Sequence, residues 1–578
     1  MKTFIKHFFL IIFLFINSVQ LWAVAPNSGM LLNLENNLNS INNLPKTIPK
    51  ESNFINGSPT QNGEKIFIKE FKLVGKKNGI SDDEIRNFLS KQANKELTFS
   101  EIQLVAKKVQ DFYRNKGYFL AQTVIPEQEV KNGVIEIFIS EGKLDSKKPF
   151  ELKKNNIRLK ENIPSSYFIE GMNGKVTKKT LERSILNLND IPGFKAKVSL
   201  TKGEDPYSSR IIIEAEEAPI LTGDIDTDNY GNRYTGKNRV TGTLYVNNPS
   251  KAGDQIIYKK TYSTTKNFDL SSVSYNLPIG RDGLRVGLSF NDLDYKIGKE
   301  LKTDPMSKGD AQTFTVSANY PVLRSIKRSV FIYQDFTKKY LYNETTGAAT
   351  SDKEIESIRS GLSIQYIDNF LGGGYSQFNL NQSFGDLDLS GAMSDLTTDQ
   401  AATGAKTDGR FNKTLLQFFR LQRINEKLNL QVLASTQIAN KNLDSSEKFT
   451  LGGPTGIRAF PSGEASGDKG KKISYDLKYD ISNFSFITKT DMFVSAFYDY
   501  GNIQQYSKLQ EINLTTPNKY SLKGWGLSLE LLKEKKYNFK LGWSDSLSGN
   551  SGKTNTGNNS DGKKDSSRLW IQGSFKIK

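Results

Sequence analysis

Cysteine is absent from this 578-residue sequence, and histidine occurs once, as His7. Serine–histidine–aspartate and cysteine–histidine catalysis depend on these residues, as do thiol redox chemistry and nearly all zinc sites. The common hydrolase mechanisms are therefore excluded, although carboxylate and serine–lysine chemistry stay open. We expect no metal, no cofactor and no enzymatic activity.

Long apolar runs are also missing, with one exception near the N-terminus. Two lysines precede an apolar run over residues 8–16, and small residues, Ala23 and Ala25, follow it. This three-part layout predicts a secretory signal peptide over residues 1–25, because the run is short for a membrane anchor of about 20 residues. Ala23 and Ala25 both stay open as the cleavage site. His7 lies in this segment, so the mature chain would contain neither histidine nor cysteine.

The net charge is +17 and the isoelectric point is about 9.4. The excess is mostly lysine spread along the whole chain, without compact basic runs interleaved with aromatic residues. We therefore expect no nucleic-acid binding. On an exported protein, the phosphates of lipid or lipopolysaccharide are the anionic neighbours that we expect.

The segment 26–63 is rich in Asn, Ser, Pro and Lys. It contains one short helix, within MLLNLENNLNSI, and then a polar linker. Leu31, Leu34 and Leu38 share one side of that helix. The segment is either a disordered tail or a docked helical plug.

Two small α/β units follow, over residues 64–143 and 144–217. In the first, capping boxes at Ser81 and Thr98 open two helices. One strand precedes these helices and two strands follow them. The second unit has a similar size and order, so the sequence predicts a tandem repeat.

Residues 218–578 lose the helical period, and strands with alternating apolar positions replace it. Aromatic residues recur near the strand ends, short turns alternate with long polar loops, and the last strand is aromatic. These features favour a membrane β-barrel of about 16 antiparallel strands over a soluble sandwich. The long loops are predicted at about 341–356, 386–410, 452–470 and 544–568.

One of these loops, residues 452–470, reads GGPTGIRAFPSGEASGDKG and holds a single arginine, Arg458. On a later strand, in MFVSAFYDY, the two-residue period puts Asp499 on the face of Phe497 and opposite Tyr498. A carboxylate that faces lipid is costly, so Asp499 is expected to face the lumen of the barrel.

The loop and this strand resemble the signatures of two-partner secretion transporters of the haemolysin secretion/activation type (ShlB/FhaC/HecB-like). These are the TpsB proteins of the outer-membrane assembly-factor superfamily. The loop signature is an aliphatic residue, arginine, a small residue and an aromatic residue, and the strand signature is aromatic-x-Asp. TDNYGNRYTG, NNPSKAGDQ and YNLPIGRDG are similar to the family's first barrel strand and next two turns. The tandem α/β units resemble its two POTRA domains, and GYFLAQTVIPEQEVKNGVIEI resembles a POTRA strand pair, so the resemblance covers nearly the whole mature chain. The matching loop residues are Gly452, Gly453, Gly456, Ile457, Arg458, Ala459 and Phe460, and those of the barrel wall are Phe497 and Asp499.

The resemblance implies an outer-membrane barrel preceded by two periplasmic POTRA domains. It also implies that the 452–470 loop folds inward, that Arg458 pairs with Asp499, and that the pore conducts a secreted partner protein. That partner would be a haemolysin- or adhesin-like exoprotein (TpsA-like) with an N-terminal secretion domain, which the POTRA domains capture unfolded. Outer-membrane lipid, lipopolysaccharide and, during biogenesis, the barrel assembly machinery are further expected partners of a monomeric protein.

Three other functions are compatible with a barrel. An insertase of outer-membrane proteins belongs to the same superfamily, but two modules and the GGPTGIRAF form of the loop favour secretion. A barrel-borne adhesin or receptor is disfavoured because no passenger domain is left over. A passive porin has no need of α/β modules ahead of its barrel.

Overall fold

The computed structural model describes residues 25–42, 65–75, 80–140, 142–155, 157–172, 176–485, 487, 489–509, 511–534 and 536–577. The predicted signal peptide, apart from Ala25, and residues 43–63 of the predicted linker lie outside these ranges. The first element is helix α1 (Ser28–Asn42), which lies inside the barrel described below.

The first α/β unit has a three-stranded sheet in the order β2-β5-β4, with β2 parallel and β4 antiparallel to β5. Helices α2 and α3 cover this sheet, and β1 and β3 form a separate two-stranded sheet. Ile68, Val109 and Ile137 lie in the hydrophobic core of the unit. The elements are β1 (Lys65–Ile68), β2 (Glu70–Gly75), α2 (Asp82–Ser90), β3 (Lys95–Thr98), α3 (Phe99–Asn115), β4 (Gln122–Val124) and β5 (Val134–Ser140).

The two predicted capping boxes differ in the structure. At α3, the Thr98 hydroxyl accepts from the N–H of Glu101, whose carboxylate accepts from the N–H of Thr98 at 2.7 Å. At α2, Ser81 accepts from the N–H of Glu84, but the Glu84 carboxylate pairs with Lys116. The Ser81 box is therefore half formed, because Lys116 at the end of α3 binds the carboxylate of Glu84.

The second unit resembles the first in having two helices that precede two antiparallel strands, but among the described residues it has no strand between its helices. Strand β7 runs parallel and β8 antiparallel to β9. A helix that the sequence pattern did not predict, α4, packs beside α5. The elements are β6 (Lys143–Leu144), β7 (Phe150–Asn155), α4 (Asn162–Met172), α5 (Lys178–Asn189), β8 (Phe194–Lys202) and β9 (Ser208–Glu217).

One buried carboxylate, Asp145, organises the turns of this second unit. Its Oδ1 accepts from the N–H of Lys148 at 2.8 Å and its Oδ2 from the N–H of Glu204 at 2.5 Å. These hydrogen bonds, led by that from Lys148, hold the pKa of Asp145 well below its usual value. The charged form is therefore favoured in the folded state.

This depressed pKa predicts a loss of stability in acid. The contribution of Asp145 is complete above the unfolded-state pKa of about 3.9 and is lost as the pH falls through the lower folded-state value. Asp145→Asn should weaken the unit at neutral pH, because an amide accepts on one side only and presents N–H donors to Glu204. Limited proteolysis of the full-length protein against pH measures both effects, and equal resistance of variant and wild type would contradict them.

Sixteen antiparallel strands form a closed barrel, as the alternating pattern predicts. The first strand closes on the last through the register from Gly223 opposite Ile577 to Asp228 opposite Gln572. The strands are β10 (Leu221–Asp228), β11 (Arg239–Asn247), β12 (Gln255–Ser263), β13 (Phe268–Ile279), β14 (Leu284–Lys296), β15 (Lys308–Arg324), β16 (Arg328–Thr345), β17 (Ala348–Asp368), β18 (Gly374–Asp388), β19 (Gly409–Arg423), β20 (Leu428–Ala439), β23 (Lys469–Asp480), β24 (Asp491–Gln504), β25 (Lys519–Lys533), β26 (Tyr537–Ser546) and β27 (Ser567–Ile577).

Large apolar side chains cover the outer face of the barrel. Leu288, Phe290 and Phe314 are each more than 40% exposed, and Trp525 and Trp543 form an exposed edge-to-face pair with ring centroids 5.4 Å apart. Outward apolar and inward polar residues alternate along the strands, as in barrels that face lipid. Among the described residues, no α-helix is both long and apolar enough to cross a bilayer.

The predicted long loop at 341–356 is wrong, because the two strands continue to a tight turn. Strands β16 and β17 stay paired up to Thr345 opposite Ala348, with one register shift between Asn343 and Glu344. The residues there are polar because both strands extend beyond the apolar band. Their polar sequence therefore cannot be told from that of a loop. The β18–β19 connection carries a short helix, α6 (Met393–Gln400), and the β20–β23 connection carries a two-stranded pair, β21 (Phe449–Thr450) and β22 (Ser466–Gly467).

The second α/β unit is fastened to the short turns of the barrel by arginines. Arg183 Nε donates to Asp282 at 2.8 Å, in the β13–β14 turn. Arg324, at the end of β15, donates through two nitrogens to Asp190 at 2.7 and 3.2 Å. The long connections consequently lie at the opposite end of the barrel from the α/β units.

Candidate functional site: a loop and a helix inside the barrel

The 452–470 loop folds into the barrel and forms a compact turn there. The Ile457 N–H donates to the carbonyl of Leu451 at 2.6 Å, and the Gly453 N–H donates to that of Phe460 at 3.0 Å. Ile457, Ala459 and Phe460 are fully or nearly fully buried, in one apolar cluster with wall residues of β24 and β25. The loop is thus a packed element of the lumen.

Glycine is required in this turn for local reasons. A Cβ on Gly456 would lie 1.6 Å from the carbonyl oxygen of Leu451, and one on Gly452 would lie 2.3 Å from that of Pro461. Gly453 has a φ of +99°, in the region that favours glycine. Its glycines therefore let the loop fold tightly on itself.

Close approach between loop and wall depends on other glycines, which the sequence pattern did not single out. A Cβ on Gly524 would lie 2.6 Å from the Cβ of Ala459, and one on Gly501 would lie 2.6 Å from a methyl group of Leu451. Glycines of the wall therefore provide the room for this close approach.

Arg458 reaches from the turn to two aspartates on neighbouring strands. Its Nε and Nη2 donate to Asp499 at 2.9 and 2.7 Å, and its Nη1 and Nη2 donate to Asp476 at 2.7 and 3.0 Å. The Arg458 side chain is 11% exposed, that of Asp499 is 0% and that of Asp476 is 13%. A planar guanidinium with five N–H donors suits such a double fork.

The backbone of Arg458 is held as well. Its N–H donates to Asp499 at 3.0 Å, while its carbonyl accepts from Ser544 Oγ and from Trp570 Nε1, both at 2.7 Å. The guanidinium carbon lies 3.5 Å from the ring centroid of buried Phe497. The arginine is therefore fixed at both its side chain and its backbone.

The structure brings Arg458 together with Asp499 and Phe497 and adds Asp476, which sequence reasoning missed. Asp476 lies on β23, where Tyr475 and Leu477 face outward. The two-residue period therefore implies an inward Asp476. Its meeting with Arg458 also depends on the register that sets Asp476 opposite Phe497, and a pattern in one strand cannot reveal that register.

Helix α1 fills a second part of the lumen. Leu31 and Leu32 are buried in a cluster with inward residues of the wall. Glu35 pairs with Arg239, whose Nε donates to Asp228 on the first barrel strand at 2.9 Å. The Lys259 ammonium donates to Asn39 at 2.8 Å. Of the two alternatives for this segment, the structure has the docked helix.

Across the described ranges, no group of three or more His, Cys, Asp and Glu side chains is arranged to hold a metal ion. The charged groups at the site instead form direct ion pairs. These pairs hold helix α1 and the 452–470 loop against the wall of the lumen.

Two family models match the chain. A model described as haemolysin secretion/activation protein ShlB/FhaC/HecB covers residues 208–531, and one described as POTRA domain, ShlB-type, covers residues 66–142. The first extends over more than half of the sequence and includes the Arg458 loop, Asp476 and Asp499.

Curated relatives are similar over most of their length. The heme/hemopexin transporter protein HuxB of Haemophilus influenzae is 25% identical over 474 residues, which cover 81% of this chain and 81% of the relative. The outer membrane transporter CdiB of Dickeya dadantii is 22% identical over 68% of this chain and 69% of its own. The solved structure of CdiB from Escherichia coli has the same fold, with a TM-score of 0.69 and 17% identity over 96% of this chain and 100% of that one.

Proposed function

The chain belongs to the haemolysin secretion/activation protein family (ShlB/FhaC/HecB), and from that membership we propose how it holds and opens its pore. The protein is an outer-membrane transporter that secretes a partner exoprotein from the periplasm to the cell surface. Its barrel lies in the outer membrane and its POTRA region lies in the periplasm.

The described arrangement is the resting state of the transporter in this proposal. Helix α1 and the 452–470 loop occupy the lumen together. The bridge from Arg458 to Asp476 and Asp499 carries the proposal, since a buried double fork holds the loop against the wall. Transport would require helix α1 to leave the lumen, while the bridge would set the position of the loop from which transport starts.

The client is proposed to be a haemolysin- or adhesin-like exoprotein with an N-terminal secretion domain. The name of the relative HuxB, a heme/hemopexin transporter protein, supports an exported protein as cargo. The two units over 64–143 and 144–217 are proposed as POTRA domains that capture the client by adding its strand to a sheet edge. Strands β2 and β4 are the edges of the first sheet, and β4 lies beside α3.

The surroundings of the barrel are proposed on the same basis. The apolar outer face fits outer-membrane lipid, and lysines at the outer rim suit the phosphates of lipopolysaccharide. The barrel assembly machinery would insert the protein, which would act as a monomer and without chemical catalysis on its client. The domain boundaries, including the signal peptide over 1–25, are kept as proposals.

Deletion of the gene is expected to remove one large protein from the culture supernatant. The physical reason is that a dedicated pore with two capture modules serves its own client. Mass spectrometry of supernatants and of outer-membrane fractions measures this effect, and plasmid-borne protein should restore secretion. Loss of many outer-membrane proteins would contradict the proposal and favour an insertase.

A further inference from the structure

A second set of ion pairs holds the segment that leads into the inward loop. This segment, residues 442–450, is called the arm. Glu447 pairs with Lys339 and with Lys413, the latter at 2.7 Å, and Asp444 pairs with Lys353 at 2.5 Å. The Glu447 and Asp444 side chains are 7% and 5% exposed. These pairs are as buried as those of Arg458.

The lysines of this set belong to another sector of the barrel. Lys339, Lys353 and Lys413 lie on β16, β17 and β19, the seventh, eighth and tenth strands of the barrel. Arg458 is held on β23 and β24, the twelfth and thirteenth. The ion pairs of the arm and those of the Arg458 turn are thus made with separate parts of the wall.

The arm is also the part of the β20–β23 connection that binds helix α1 through hydrogen bonds. Asn33 Nδ2 donates to the carbonyls of Ser445 and Lys448 at 3.3 and 2.6 Å. Asn37 donates to the Thr450 hydroxyl at 3.1 Å. The asparagines of α1 therefore have a structural explanation, because their amides bind the arm.

Helix and arm are in close contact along the N-terminal part of α1. A Cβ placed on Gly29 would lie 3.1 Å from the Cβ of Ser446 and 2.6 Å from the Ser445 hydroxyl oxygen. Ser445 in turn donates to the Asn27 side chain at 2.9 Å. Leu443 of the arm lies in the same apolar cluster as Leu31.

We propose that Asp444 and Glu447 are positioning residues that hold the arm as a cradle for helix α1 and so keep the helix in the lumen, independently of Arg458. Three lysines and two carboxylates meet there, so neutralising Glu447 leaves Lys339 and Lys413 close together without their shared counter-charge. Repulsion and the unmet cost of burying these charges then favour withdrawal of the arm. The helix loses its hydrogen-bond partners with it.

The test uses purified full-length protein in planar lipid bilayers. Glu447→Gln is expected to increase the time spent in the open state by about tenfold, because a buried pair is broken. Asp444→Asn, which breaks one pair, should have a smaller effect in the same direction. Glu356→Gln is the matched control. Glu356 pairs with Lys338 at 2.9 Å across β16 and β17, the strands of Lys339 and Lys353, but it is 51% exposed and makes no ion pair with the arm.

Disulfide trapping supplies a readout that a merely structural role would not change. The chain has no cysteine, so Gly29→Cys with Ser446→Cys can form one cross-link once Ser445 rotates and the backbone at Ser446 moves by a few tenths of an ångström. Cross-linking should be nearly complete in the wild-type background and much slower with Glu447→Gln. The oxidised bond should return the Glu447→Gln channel to low conductance, and a reductant should reopen it.

The role of the arm rests on the resting state proposed above. Its failure can be told apart from failure of the proposed secretion function. Wild-type conductance and cross-linking in both Glu447→Gln and Asp444→Asn would overturn the role of the arm, even if secretion still depends on the gene. Equal conductance changes in Glu447→Gln and Glu356→Gln would overturn it as well. Heat-modifiable migration in gels verifies that each variant has assembled its barrel.

Discussion

Replacing Arg458 by alanine is expected to reduce secretion of the partner exoprotein by more than about tenfold while the barrel still assembles. The change leaves Asp476 and Asp499 without the guanidinium that both bind, and Asp499 is fully buried. Removing one partner of a buried ion pair costs about 3–5 kcal/mol, and each 1.4 kcal/mol is about a factor of ten in an equilibrium. The loop should therefore spend much less time in the position where Arg458 contacts the wall. Quantitative blotting of supernatants against the amount of folded barrel measures the effect.

Two further variants separate charge from geometry. Arg458→Lys keeps the positive charge but lacks the fork that spans two carboxylates, so we expect a partial defect. Arg233→Ala is the control, because Arg233 makes a fork to Glu300 in another connection and does not touch the loop. Normal secretion by Arg458→Ala would show that the bridge is dispensable. A full defect in Arg233→Ala would show that the assay reports any lost arginine.

The barrel was predictable because lipid imposes a two-residue period on every strand. Outward residues such as Leu288 and Phe290 are apolar, so the strands can be recognised one at a time. Where strands extend beyond the apolar band, as in β16 and β17, that constraint ends and the 341–356 hairpin resembled a loop. Helix α4 was missed for a related reason. It contains Pro164 and its residues are apolar on several sides, so no clear amphipathic stripe marks it.

The sequence predicted Arg458 and Asp499 of the candidate site but not the residues that surround them. Arg458 and Asp499 were found from resemblance and from the face that Asp499 takes on its strand. Asp476 required the register between β23 and β24, and Gly524 required knowledge of where Ala459 lands. Both are relations between distant segments, which the pattern within one segment does not contain. The ion pairs of the arm were missed because lysine and glutamate are common at solvated surfaces and carry no periodic signal.

Substituting Gly456 by alanine should impair secretion about as strongly as loss of Arg458, although the guanidinium stays intact. A Cβ there would lie 1.6 Å from the carbonyl oxygen and 2.6 Å from the carbonyl carbon of Leu451, and backbone atoms cannot swing aside as a side-chain end can. The turn must open, which breaks the bond from the Ile457 N–H to that carbonyl and moves Arg458 away from Asp499. Overpacking typically costs about 1–3 kcal/mol, and more when the backbone must shift. Secretion per folded barrel is the measurement.

Gly549→Ala is the matched control for this substitution. Gly549 lies in the β26–β27 connection, its φ is not in the left-handed region, and a Cβ there would meet no atom within 4 Å. It should secrete normally. If Gly456→Ala and Arg458→Ala both act by displacing the loop, their effects should not add, because the loop can be displaced only once. The double variant should then secrete no less than the single variant that secretes less. Additive defects would contradict a shared cause and assign Gly456 a role apart from the position of Arg458.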